Sequence, residues 1–100
     1  MRAAVFQGDG VVSVVDRSDL SITTADEVLI GVEVNGLCGS DLRAFAVPPQ
    51  MAYDQGVVVG HEFVGRVIEV GPAVTSVREG DRVTAIPNIS CQALKASIVP

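Results

Sequence analysis

Short valine-rich runs, each closed by a glycine-bearing turn, constrain this chain more than any other feature. Arg2 to Phe6 reads as an opening strand, Gly8-Asp9-Gly10 as a tight turn, and Val11 to Val15 as the returning strand of a hairpin. From Glu27 the alternation is regular. Val28, Ile30, Val32 and Val34 share one face, and Leu29, Gly31, Glu33 and Asn35 share the other, which predicts a half-buried strand ending at Gly36. Val57-Val58-Val59 leads into Gly60-His61-Glu62, Phe63 to Val70 is a further strand closed by Gly71-Pro72, and Glu79-Gly80-Asp81 turns the chain into Arg82 to Ile86. Between them, Ser40-Asp41 opens a single helical turn over Leu42 to Ala46, stopped by Pro48-Pro49, and Met51 to Gln55 reads as loop. Strands this short, at near-regular spacing, predict a mainly β domain, a partly closed barrel or a sandwich.

A chain of 100 residues makes one modest domain, large enough for a single core without obligatory cross-links. Hydrophobic residues make up 48% but aromatics only 4%, so the expected core is aliphatic and dominated by valine. The net charge of −5 and the scattering of the seven basic residues argue against a nucleic-acid partner, which needs clustered Lys and Arg. No apolar run reaches the roughly 20 residues of a membrane span and no leader pattern opens the chain, so neither a membrane nor secretion is expected and the cytoplasm is the default location. Cys38 and Cys91 are therefore expected as reduced thiols rather than a bridged pair.

Taken one at a time, the polar residues have structural explanations. Cysteine is often just a small buried hydrophobe, a lone histidine such as His61 is often a satisfied core or surface group, and Glu62 alone would be a solvated charge. Ser40 would cap a helix, and Asp41 would favour its N-terminus. Together they offer a thiolate, an imidazole and a carboxylate at the ends of strand-like segments, a donor set suited to zinc.

The spacing adds to this. Gly60-His61-Glu62 is followed by Gly65, Gly71 and Val74, and Cys38-Gly39-Ser40-Asp41 precedes His61, with Cys38 23 positions upstream. With Gly80-Asp81-Arg82-Val83, this pattern resembles the zinc-dependent alcohol dehydrogenases of the medium-chain dehydrogenase/reductase family. It is closest to their polyol and threonine dehydrogenase branch, over residues 1–91. The resemblance implies a GroES-like partly open β-barrel with one or two short helical turns, the catalytic-zinc domain of such an enzyme. It implies Cys38 and His61 as zinc ligands, with Glu62 beside the metal and able to ligate it. It also implies that Asp41 orients the His61 imidazole, and that Ser40 takes the proton of the substrate alcohol. An alcohol or polyol would then be the substrate and NAD(P) the hydride acceptor.

Several departures from that family are visible. Its third protein ligand would lie beyond residue 100, which leaves Glu62 as the further donor here. Arg43 stands where many members have a relay histidine, and a guanidinium cannot relay a proton as a neutral imidazole does. Gly39 replaces an arginine that some members place on the cofactor pyrophosphate. Cys91 falls where the first of four structural-zinc cysteines would stand, yet no cysteine follows it. A Gly-x-Gly-x-x-Gly fingerprint does not occur, so a Rossmann domain is expected to be absent, NAD(P) to require one, and residues 92–100 to be an atypical tail left by truncation. Two functions follow as expectations: the zinc and substrate domain of an NAD(P)-dependent alcohol dehydrogenase, or a non-catalytic GroES-like zinc-binding or interaction module. The second would self-associate through exposed interdomain surface. A zinc-free quinone-reductase relative is the weaker third, opposed by Cys38 and Gly60-His61-Glu62.

Overall fold

The computed structural model describes residues 1–86 and 97–98, which form two compact units, one of residues 1–19 and 37–60, the other built on residues 20–36 and the chain from 61 onward. They are described separately.

In the first unit, β1 (Arg2–Gly8) and β2 (Val11–Asp16) pair antiparallel, with Ala3 opposite Val15 and Val5 opposite Ser13. Asp9 and Gly10 form the two-residue tip, with φ of 49° and 74°. Those left-handed values are what a tight hairpin turn requires at both central residues, which is why Asp-Gly marked the turn in sequence. Gly10 is needed for a second reason: a Cβ there would stand 2.6 Å from the Phe45 carbonyl oxygen. Along its other edge β1 is met by the chain at 56–59. The Phe6 N–H donates to the Val57 carbonyl at 2.9 Å and the Val59 N–H to the Ala4 carbonyl at 3.0 Å. A strand paired on both sides buries well, and Ala3, Val5 and Phe6 form its buried set.

Helix α1 (Gly39–Phe45) belongs to the same unit. It begins earlier than Ser40-Asp41 predicted. Cys38 is the N-cap residue, in extended conformation, and the Asp41 side chain reaches back to it. A third-position acid accepting from the cap's own N–H is one half of a capping box, so Asp41 acts from inside the helix rather than at its edge. Nor is the core purely aliphatic. Phe6 and Phe45 stack with centroids 5.7 Å apart, and Tyr53 stands edge-on to both at 6.1 and 6.4 Å. Three of the chain's four aromatic residues therefore gather in one cluster, drawn from strand, helix and loop. Composition could not reveal it because few aromatics suffice when they converge.

The second unit is an antiparallel sheet in the order β3 (Val28–Asn35), β4 (Phe63–Val70), β5 (Arg82–Thr84), β6 (Ser97–Ile98). Its core is Val67, Val77 and Val83, flanked by Val28, Ile30, Val70 and Val74. Here the valine expectation holds. The regular alternation predicted for β3 does not persist, because two bulges interrupt the pairing. Val32 pairs with Gly65 and Val34 with Val64, leaving Glu33 as an extra residue, and Ile68 is the extra residue on β4. An unpaired residue slips the pleat by one place. Val32 and Val34 are exposed (56% and 63%), as is the whole C-terminal half of β3, while Val28 and Ile30 remain half-buried. Glu33 instead bridges Arg66 on β4 and Arg82 on β5, at 3.1 and 3.3 Å. Gly65 permits the strands to approach, since a Cβ there would collide with the Gly31 carbonyl.

The described residues thus hold strands and one short helix with no closed barrel, and no helix long and apolar enough to cross a membrane. Cys91 and most of the segment 92–100 lie outside the described residues.

Candidate metal centre

Each expected ligand occupies a position set by its local backbone. Cys38 sits at the N-cap of α1, half-buried and with a free thiol. Its backbone N–H donates to Asp41 Oδ2 at 3.0 Å, and the Asp41 N–H returns a bond to the Cys38 carbonyl at 3.1 Å. The residue carrying the thiol is thus held at both backbone ends by one neighbour. Asp41 is only 2% exposed, unusual for a carboxylate, and burial of an ionised group is tolerated only where donors surround it.

Near it stands a residue that sequence reasoning left in a loop, Tyr53. Burial pushes the Tyr53 phenol above the usual tyrosine range, and the neighbouring Asp41 and Cys38 push it further. All these effects favour the neutral phenol, which keeps Tyr53 a donor. No spacing rule links a loop tyrosine to a helix twelve positions upstream. The one available signal was that Tyr53 is the chain's single tyrosine. Tyr53 also lines a cavity of about 320 Å³ together with Phe6, Met51 and Gln55.

Ser40 lies in the first turn of α1 and is half-buried. Arg43 is exposed in the last turn, where its positive charge suits the helix C-terminus.

In the second unit His61 and Glu62 immediately precede β4, with His61 half-buried and Glu62 exposed. The Glu62 carbonyl accepts from the Gly36 N–H at 2.6 Å, extending the β3–β4 ladder by one step. Its side chain folds over Gly36: a Cβ on Gly36 would stand 3.0 Å from Glu62 Oε2 and 3.3 Å from Glu62 Cβ. Glycine at 36 therefore does more than end a strand, because it leaves room for the carboxylate. Within the first unit the structure joins Cys38 and Asp41, with Tyr53 nearby, and within the second it sets His61 beside Glu62 at the start of β4.

The donor chemistry fits zinc. A thiolate and an imidazole are its preferred soft and borderline ligands, and an exposed carboxylate can enter or leave the coordination shell. Calcium or magnesium would call for an all-oxygen set, which Cys38 and His61 do not supply.

Comparison with known proteins points the same way. The model of the family described as "Alcohol dehydrogenase GroES-like domain" matches residues 24–97. A medium chain reductase/dehydrogenase of an Acremonium species is 38% identical over 91 residues, covering 91% of this chain and 31% of that protein. A zinc-type alcohol dehydrogenase B of Aspergillus flavus is 38% identical over 92 residues, covering 91% of this chain and 21% of that protein. Among solved structures, galactitol-1-phosphate dehydrogenase from Escherichia coli superposes with a TM-score of 0.82 at 30% identity, covering 99% of this chain and 32% of that one. The chain spans about a third or less of the length of each.

Proposed function

The chain belongs to the alcohol dehydrogenase GroES-like domain family, and from that premise we propose that it is the zinc and substrate domain of an NAD(P)-dependent alcohol dehydrogenase acting on a polyol-type substrate. The observation that carries the reading is the hold on Cys38: a free, half-buried thiol whose backbone is fixed by a buried carboxylate, inside the span that matches the family. The name of the Aspergillus relative supports zinc, and that of the Escherichia structure supports a sugar-alcohol substrate class.

In this proposal Cys38 and His61 hold the metal and Glu62 completes or exchanges within its shell. Zinc, when bound, would supply Lewis acidity that makes an alcohol oxygen more acidic. The remaining work falls to the chain's own side chains. Ser40 accepts the alcohol proton at its hydroxyl. Asp41 keeps the thiol-bearing residue in register and, by the family resemblance, orients the His61 imidazole, a role that neighbouring carboxylates commonly play toward metal ligands. Arg43, permanently protonated, does not extend the relay, so the proton leaves Ser40 by solvent. The nicotinamide acceptor is held outside the residues described.

Metal content tests the reading. Zinc measured by elemental analysis after dialysis should approach one per chain in the wild type and fall to background in Cys38→Ala, with far-UV circular dichroism unchanged. A folded wild type without zinc would refute it.

A further inference from the structure

We propose that Asn35-Gly36 is a site of spontaneous deamidation that the β3–β4 ladder holds closed, and that its conversion withdraws Gly36 from its place beneath Glu62. The inference does not rest on the zinc reading, and the chemistry needs no partner but water.

Its first ground is the pair itself. Asparagine, a thermolabile residue, deamidates when the backbone nitrogen of the next residue attacks its side-chain carbonyl carbon. Glycine leaves that nitrogen unhindered by a Cβ. The chain has two asparagines, and the other, Asn88, precedes the β-branched Ile89. Asn35 is exposed, so water and hydroxide reach it. In the reaction a bond forms between the Gly36 nitrogen and Asn35 Cγ, the Cγ–Nδ2 bond breaks, and the Gly36 N–H proton leaves with the amide as ammonia. Water then opens the five-membered imide at one of its two carbonyls. One opening gives aspartate at position 35, and the other gives isoaspartate, whose main chain runs through Cβ and Cγ.

The folded geometry opposes that attack. Asn35 is the last residue of β3 and pairs with Phe63, and an extended backbone keeps the following nitrogen away from Cγ. The nucleophile is engaged as well, because the Gly36 N–H donates to the Glu62 carbonyl at 2.6 Å. Asn35 Nδ2 donates to the Gly36 carbonyl at 2.7 Å, which sets the leaving amide against the oxygen of the attacking residue. Across the ladder, the Thr84 hydroxyl on β5 donates to the Phe63 carbonyl at 2.7 Å and fastens the residue opposite Asn35. Attack therefore waits for this end of the ladder to open, and element ends open at lower free energy than cores.

The glycine that makes the pair labile is also the residue that Glu62 requires. A Cβ at position 36 would stand 3.0 Å from Glu62 Oε2 and 3.3 Å from Glu62 Cβ. Isoaspartate lengthens the main chain by one carbon just ahead of Gly36, so the pairing with Phe63 and the Gly36–Glu62 bond cannot both persist. The damage is local. Val67, in the core of the same sheet, has its N–H on the Asp81 carbonyl at 2.9 Å and lies three residues beyond the end that opens.

The full chain is incubated at mildly alkaline pH, in buffer and in urea, and each asparagine is followed by peptide-resolved mass spectrometry, which reads the mass gain of amide to acid. In urea Asn35 should convert well ahead of Asn88. In buffer it should convert at least about ten-fold more slowly than in urea. Thr84→Val should raise the rate in buffer about two- to ten-fold and leave the rate in urea unchanged, while Thr84→Ser, which keeps the hydroxyl, stays near wild type. In the isoaspartate product, separated by chromatography, the Gly36 amide should lose its protection from deuterium exchange and the Val67 amide should keep it. Conversion of Asn35 no faster than Asn88 in urea would overturn the site. Equal rates in buffer and urea, or an unchanged rate in buffer for Thr84→Val, would overturn the gate. If Thr84→Val does not fold, the comparison of buffer with urea decides alone. A product whose Gly36 amide stays protected, or whose Val67 amide is lost with it, would overturn the local consequence.

Discussion

Replacing Asp41 by alanine removes the acceptor of the Cys38 N–H. A hydrogen bond to a charged group contributes about 1.5–3 kcal/mol, and losing a helix cap costs about 1 kcal/mol. That bond and the cap are one interaction and are not additive, and the variant is relieved of desolvating a charge that is 2% exposed in the wild type. Cys38 is half-buried, so water can reach part of what is left unpaired. Balancing these, the expected loss is about 1.5–2 kcal/mol, or roughly a 10- to 30-fold larger unfolding constant. Urea unfolding followed by circular dichroism measures it. Tyrosine emission gives a second, local probe, because the chain has one tyrosine and no tryptophan. A carboxylate close to a phenol quenches it, so emission should rise in the folded variant. A stability change under about 0.5 kcal/mol, with unaltered emission, would place Asp41→Ala among ordinary surface substitutions and refute the assignment of Asp41 as the anchor of α1.

Two further outcomes follow from geometry and charge. Gly10→Ala should cost clearly more than Gly80→Ala, because both residues have left-handed φ (74° and 89°) but only at Gly10 does the added Cβ meet backbone, 2.6 Å from the Phe45 carbonyl oxygen. Strain alone predicts about 1 kcal/mol at Gly80 and more than about 2 kcal/mol at Gly10, and equal midpoints in urea would contradict this. Glu27 accepts from the Thr23 and Thr24 N–H groups and from the Thr23 hydroxyl, and these bonds hold its carboxyl below the usual glutamate range. The folded pKa is depressed, so its stabilisation is complete above the ordinary carboxylate pKa and is lost as pH falls through the lowered one. An NMR titration of the Glu27 carboxyl should show the low midpoint, and Thr23→Ala should raise it toward normal.

How much of this was legible in the sequence depended on how local each cause is. Asp9-Gly10 was readable because a two-residue hairpin turn imposes its φ values on the turn residues themselves. The start of α1 was misplaced because cysteine is not an expected cap, and the residue that stabilises it, Asp41, bonds backward from inside the helix. The exposure of Val32 and Val34 was hidden because alternation tells which residues share a face but not how far along the strand that face is covered, and β3 is exposed from Val32 to Asn35. His61 and Glu62 stood out by their spacing to Gly60 and Gly65, but the need for Gly36 beneath Glu62 did not, since it is a contact between β3 and the approach to β4. Tyr53 was missed for the same reason: its ring partners Phe6 and Phe45 come from β1 and α1, outside its own loop.

The same contacts explain why so short a helix can carry a chemically demanding residue. Propensity cannot hold seven residues helical, so α1 exists because Ala44 is fully buried, Phe45 stacks on Phe6, and Asp41 closes the N-terminal turn. Phe45 faces Phe6 of β1 and Tyr53, whereas Leu42 and Arg43 remain exposed. The N-cap is where such a helix is most constrained, because the capping bonds and the first buried turn coincide there. A thiol placed at mid-helix would share in the fraying of both ends, and one in the preceding loop would lack the return bond from Asp41. Cys38 occupies the position at which the fold itself, with no metal present, fixes the backbone of a ligand at both ends. That is the physical content of preorganisation here: the cost of ordering the thiol is met by packing during folding rather than by metal at the moment of binding.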